Sequence, residues 1–125
     1  MHRSRLAGFI IDCRTENLDE AARFWGEALG YRLRPEQTET AYRQFDAERD
    51  NLHIEVQAVP HASRVHLDIE TDDIEAEVAR LEKLGAKRIE FVKRWWVMEA
   101  PTGQRFCIVR PQHPRFADIA REWRE

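Results

Sequence analysis

Residues Arg64 to Ala86, RVHLDIETDDIEAEVARLEKLGA, decide the fold. Val65, Leu67 and Ile69 fall on one side of the opening run, and Arg64, His66, Asp68 and Glu70 on the other. That two-residue period marks a strand with one apolar and one polar face. The period then changes. Ile74, Val78, Leu81 and Leu84 recur at helical spacing, and Thr71 or Asp72 stands where a cap belongs, with Glu75 three residues after Asp72. Gly85 follows the last apolar residue, the usual type for a left-handed helix stop. The stretch reads strand, tight turn, helix, stop, with His66 at the centre of the polar row.

The same unit occurs earlier. Setting Ile10–Leu18 against His66–Ile74 places Asp12 on Asp68, Thr15 on Thr71, Asn17 on Asp73 and Leu18 on Ile74. Both copies then run through a helix to Leu-Gly, at Leu29-Gly30 and Leu84-Gly85. Aligned acids and aligned stops indicate an internal duplication. The alignment also sets Ile10 in the first copy where the second has His66.

Around these units, strands are expected at Leu6–Cys13, Tyr31–Arg34, Ala41–Phe45, Leu52–Ala58, Arg88–Val92, Trp95–Glu99 and Arg105–Arg110. Asn17 and Glu20 form a capping box for a helix burying Leu18, Ala21, Ala22, Trp25, Ala28 and Leu29. Pro114 opens a last helix with Phe116, Ile119, Ala120 and Trp123 as its apolar stripe. The order in each copy is strand, helix, strand, strand, strand.

At 125 residues, 42% hydrophobic and 34% charged, the chain reads as a single globular domain, 1–125. A net charge of −3 leaves no basic footprint, so no nucleic-acid partner is expected. The longest apolar run, Leu6 to Ile11, is too short for a membrane span, so no membrane partner is expected either. Cys13 and Cys107 fall on different strands and form no disulfide framework, which points to the cytoplasm.

Two βαβββ units whose helices end in Leu-Gly resemble the vicinal-oxygen-chelate superfamily of glyoxalase I, extradiol dioxygenases and bleomycin-resistance proteins. The wording IIDC, FWGEALGY, RVHLDI and APTGQRFCIV is similar to its glyoxalase-like branch. The resemblance implies an α+β fold, two βαβββ modules forming a cup-shaped curved mixed sheet, with the C-terminal helix added. Module one is expected at about 5–60, module two at about 63–111 and the C-terminal helix at about 114–125. It also implies four metal-ligand positions, here Ile10, Glu55 (or its same-face neighbour Gln57), His66 and Cys107. Ile10 has no donor atom, and a thiolate at Cys107 suits zinc rather than magnesium or manganese. No metal is therefore expected with certainty; a divalent metal, if bound, would rest on His66, Glu55 and Cys107.

His66, Glu55, Asp12 and Asp68 are the candidate acid–base residues of a small-molecule pocket. Asp12 and Asp68 either face each other and push one pKa up, or each pairs with an arginine such as Arg64 or Arg105. Ile10, Gln57, Arg64, Arg105 and Cys107 are candidate ligand-binding residues. Trp95 and Trp96, adjacent on one strand, point to opposite faces, so one is core and the other is available to a ligand or a dimer seam. Two functions fit. One is a lyase, isomerase or epimerase acting next to a carbonyl; the other is a non-catalytic, ligand-sequestering protein of the bleomycin-resistance type. A homodimer is expected because open sheets leave edges to cover, with Phe116, Trp123 and one of the Trp95–Trp96 pair as candidate interface aromatics.

Overall fold

The computed structural model describes residues 1–35, 37 and 41–124. It contains β1 (His2–Cys13), α1 (Leu18–Leu29), β2 (Arg32–Leu33), β3 (Tyr42–Asp46), β4 (His53–Ala58) and β5 (Arg64–Thr71). Then come α2 (Ile74–Lys83), β6 (Lys87–Val92), β7 (Trp95–Glu99), β8 (Arg105–Val109), α3 (Phe116–Ile119) and β9 (Arg121–Trp123). The fold is α+β, with parallel and antiparallel strand pairs. The chain divides into two compact units, Gly8–His66 and Met1–Ala7 with Leu67–Glu125, and the division passes through β1 and β5.

In the Gly8–His66 unit the strand order is β2-β3-β4-β1, with β4 parallel to β1. Alternation on β4 sends Ile54 and Val56 to one face, where they are buried with Ile11, Phe45, Leu18 and Ala22 beneath α1. Burying side chains of this size contributes roughly 1.5–3 kcal/mol each. Trp25 packs against that core, whereas Ala28 and Leu29, expected inside, are exposed. Gly8 is fixed by close approach: a Cβ there would stand 1.9 Å from the His53 carbonyl oxygen.

In the other unit the order is β6-β7-β8-β5, with β8 parallel to β5. Val78 and Leu81 of α2 bury Met98 and Ile108, with Ile69, Phe106 and Trp96 packed around them. Leu84 lies past the helix end and is exposed, as are Val65 and Leu67, so β5's apolar side reaches the core only at Ile69.

The two helix starts repeat each other atom for atom. Thr15 Oγ1 accepts from Asn17 N and Asn17 Oδ1 from Glu20 N; Thr71 Oγ1 accepts from Asp73 N and Asp73 Oδ1 from Ala76 N. The cap of α2 is thus Asp73, not Thr71 or Asp72. The Asp72 carboxylate instead accepts from Arg3 N.

The C-terminal helix is a single turn, and β9 follows it. β9 pairs antiparallel with the start of β1, His2 opposite Trp123, so the expected polar lead is strand from His2 onward. Open backbone groups at that edge outcompete a second helical turn. Glu125, the last residue of the expected helix, lies outside the described residues.

Candidate functional site

The face of the Gly8–His66 sheet turned away from α1 is polar. Register sets Gly8 opposite His53, Ile10 opposite Glu55 and Asp12 opposite Gln57, and β3 adds Gln44 beside Glu55 and Tyr42 beside Gln57. Gln57 Nε2 donates to the Tyr42 hydroxyl at 3.1 Å. His53 joins Gln44 at 3.2 Å through Nδ1 and Glu55 Oε1 at 2.9 Å through Nε2. A ring nitrogen this close to a carboxylate carries the proton, so Nε2–H donates to Glu55 and Nδ1 accepts from the Gln44 amide.

Asp12 is 2% exposed and meets His66 Nδ1 through Oδ2 at 2.7 Å. Arg64 Nε lies farther off, 3.7 Å from the same oxygen. Oδ1 of Asp12 is buried and has no hydrogen-bond partner among the described residues. A carboxylate on Nδ1 fixes the proton there and makes Nε2 the basic nitrogen of the ring. Cys13, next along β1, has its thiol pKa raised by burial and then by the Asp12 charge, so it stays a neutral core thiol.

On β5 and β8, Asp68 stands opposite Cys107, both buried. His66, Asp68 and Cys107 group as potential metal donors. Glu55, expected with His66 and Cys107, is not in that group and carries His53 instead. The four-position ligand set does not fit the residues present: buried Ile10 offers only carbon, and Glu55 is already hydrogen-bonded. Arg105 pairs with Glu99 at 3.3 Å. Trp96 is the core member of its pair, under Arg88 and edge-on to Phe91, and Trp95 takes the opposite, half-buried side.

The site residues that sequence alone did not single out are His53, Gln44 and Tyr42. Alternation along β4 puts His53 on the face of Glu55. Gln44 and Tyr42 come into place only through the β3–β4 register.

The sequence matches the glyoxalase-like domain family over residues 8–109, most of the chain. The chain is a glyoxalase-like domain. Its fold recurs in methylmalonyl-CoA epimerase from Mycobacterium tuberculosis, at 18% identity, TM-score 0.61 and 90% coverage of each chain. A glyoxalase/bleomycin resistance/dioxygenase superfamily member from Vibrio splendidus 12B01 aligns at 14% identity and TM-score 0.56, over 89% of this glyoxalase-like domain and 100% of its own length. Hypothetical protein BH1468 from Bacillus halodurans C-125 aligns at 12% identity and TM-score 0.63, over 88% and 96%. Identities this low carry the fold alone, not an activity. No curated protein matches the sequence.

Proposed function

We propose that this glyoxalase-like domain binds a small carbonyl compound and moves a proton next to the carbonyl, as a lyase or isomerase does, with Asp12 and His66 as its acid–base pair. The observation that carries the reading is the 2.7 Å contact between His66 Nδ1 and a buried carboxylate. His66 Nε2 takes the proton from the carbon beside the carbonyl, and the C–H electron pair moves onto the carbonyl oxygen. The imidazolium, stabilised by Asp12, then returns that proton to carbon. Asp12 Oδ1 supplies an acceptor to a ligand hydroxyl or amine, and Ile10 an apolar contact. Glu55, Gln57 and Arg64 complete the ligand-facing set of the Gly8–His66 unit in this reading, without a metal in any step.

The test is proton–deuterium exchange in heavy water with hydroxyacetone and a methylmalonyl thioester as probes. Parent protein accelerates exchange, and His66→Ala loses about 100-fold or more of that rate. Exchange no faster than in buffer for both probes would reject the enzyme. A ligand retained in native mass spectrometry would then favour the second reading, a sequestering protein, which the donor-free Ile10 supports. Assembly as a homodimer belongs to the proposal, and exposed Val65 and Leu67 on β5 are the surface a second copy would cover. The expected interface aromatics are revised: Phe116 is buried in its own chain, and Trp123 donates to Ser4 Oγ at 2.7 Å. Cys13 and Cys107 form no disulfide, which suits a reducing cytoplasm.

A further inference from the structure

We propose that His53 is a positioning residue that holds Glu55 as a metal-free carboxylate, presenting Oε2 to a hydrogen-bond donor of the ligand. Glu55 occupies one of the four family ligand positions. Here an imidazole N–H donates to one of its oxygens. His53 is gripped at both nitrogens, by Gln44 on Nδ1 and Glu55 on Nε2, and its side chain and that of Glu55 are 13% and 17% exposed. Shielding of this degree strengthens both hydrogen bonds and leaves the ring one favourable tautomer.

The backbone beneath is equally constrained. Because Gly8 lies against the His53 carbonyl, β1 and β4 approach too closely for any side chain at position 8, and the register that sets Glu55 beside Ile10 is fixed. Oε1 of Glu55 is consumed by His53, and Oε2 carries no hydrogen bond among the described residues. The group that fits Oε2 is therefore a hydroxyl or ammonium, next to the apolar contact of Ile10. That Glu55 meets substrate rests on the acid–base reading above; that His53 positions Glu55 does not.

The test is nuclear magnetic resonance on protein carrying 15N-histidine and 13C-carboxyl glutamate. In the parent, His53 is protonated at Nε2 and bare at Nδ1. Gln44→Leu releases the ring into mixed tautomers. The Glu55 carboxyl signal shifts in His53→Leu and stays in place in His53→Gln, whose amide restores the donor. One equivalent of zinc chloride moves neither the His53 nor the Glu55 signal. A proton on His53 Nδ1, a Glu55 signal indifferent to His53→Leu, or a zinc-dependent shift of both groups overturns the proposal. Should His53→Leu fail to fold, Gln44→Leu decides: as the ring leaves its single tautomer the Glu55 carboxyl signal shifts, and an unmoved Glu55 signal overturns the proposal. The hydroxyacetone arm separates the two ideas: exchange falls about 100-fold in His53→Leu and recovers in His53→Gln if Glu55 must be placed for substrate. A shifted Glu55 signal with unchanged exchange upholds the positioning and rejects the catalytic use.

Discussion

Both units bury carboxylates, and Glu70 and Glu77 are held differently from Asp12 and Glu55. In Met1–Ala7 with Leu67–Glu125, Glu70 accepts from Arg5, Gln112 N and His113 N, and Glu77 from His2 and from both ends of the Arg80 guanidinium. In Gly8–His66, Asp12 keeps one buried oxygen without a partner among the described residues, and Glu55 spends only one oxygen on His53. A buried carboxylate whose oxygens are all engaged is a structural strut; one with an oxygen left over is held for something else. Glu70 and Glu77 are thus braced, while Asp12 and Glu55 keep unspent acceptors.

The largest expected effect breaks a braced carboxylate. Glu77→Leu strands His2 and Arg80 around an apolar side chain and should cost about 3–5 kcal/mol in urea unfolding. Asp12→Asn keeps the shape and should change stability by only about 1 kcal/mol or less, while abolishing most exchange activity. A reversal of the two costs would show that Asp12 is the strut.

The pH dependence sharpens the contrast. Burial alone would raise the Glu77 pKa, but hydrogen bonds from Arg80, His2 and Ser4 outweigh it and hold the carboxyl below its ordinary 4.5. A carboxyl depressed in the folded state stabilises fully above that ordinary value, and the contribution is lost as pH falls through the folded one. The stability gap between parent and Glu77→Gln should therefore be constant from pH 7 to about 5 and close in stronger acid. A gap that widens on acidification would contradict this.

Next in size is the C-terminal clasp. Trp123 lies under Arg80, 3.8 Å from the guanidinium carbon to the ring centroid, and donates to Ser4. Trp123→Ala should cost about 1–3 kcal/mol and speed amide exchange at His2–Ser4, whose backbone β9 covers. Unchanged protection at those amides would mean that β9 holds without its tryptophan.

What the sequence disclosed follows from what each feature depends on. Periods of two and of about 3.6 made the strands and both long helices legible, because burial of Ile54, Val56, Val78 and Leu81 imposes them directly. The duplication aligned Asn17 with Asp73 and so located the second cap better than local reading, which favoured Asp72. β9 left no such trace: three residues have no period, and its partners are backbone groups some 120 positions away. The candidate site was half legible. His66 was named from polar alternation, Asp12 from the aligned repeat and Glu55 from the family resemblance, but the Asp12–His66 contact and the Gln44–His53–Glu55 chain depend on which strands become neighbours. Arg105 shows the same gap, finding Glu99 across the β7–β8 pair.

The smallest expected effects concern a local feature on which the two units agree. Asn17→Ala removes the acceptor for Glu20 N, and Asp73→Ala the acceptor for Ala76 N, at the same position of the same turn. Each should cost about 1 kcal/mol, the usual value of a lost N-cap. Asp73 adds a full negative charge at a helix start, worth a further 0.3–1 kcal/mol or so at low ionic strength. Asp73→Ala should therefore exceed Asn17→Ala in dilute buffer, and the difference should vanish in molar salt, as screening removes the charge but not the hydrogen bond. Urea titration of both variants at low and high salt checks this. A difference that persists in high salt would locate it in the geometry of the two turns, and the correspondence of Thr15–Asn17 with Thr71–Asp73 would then be looser than their matching hydrogen bonds imply.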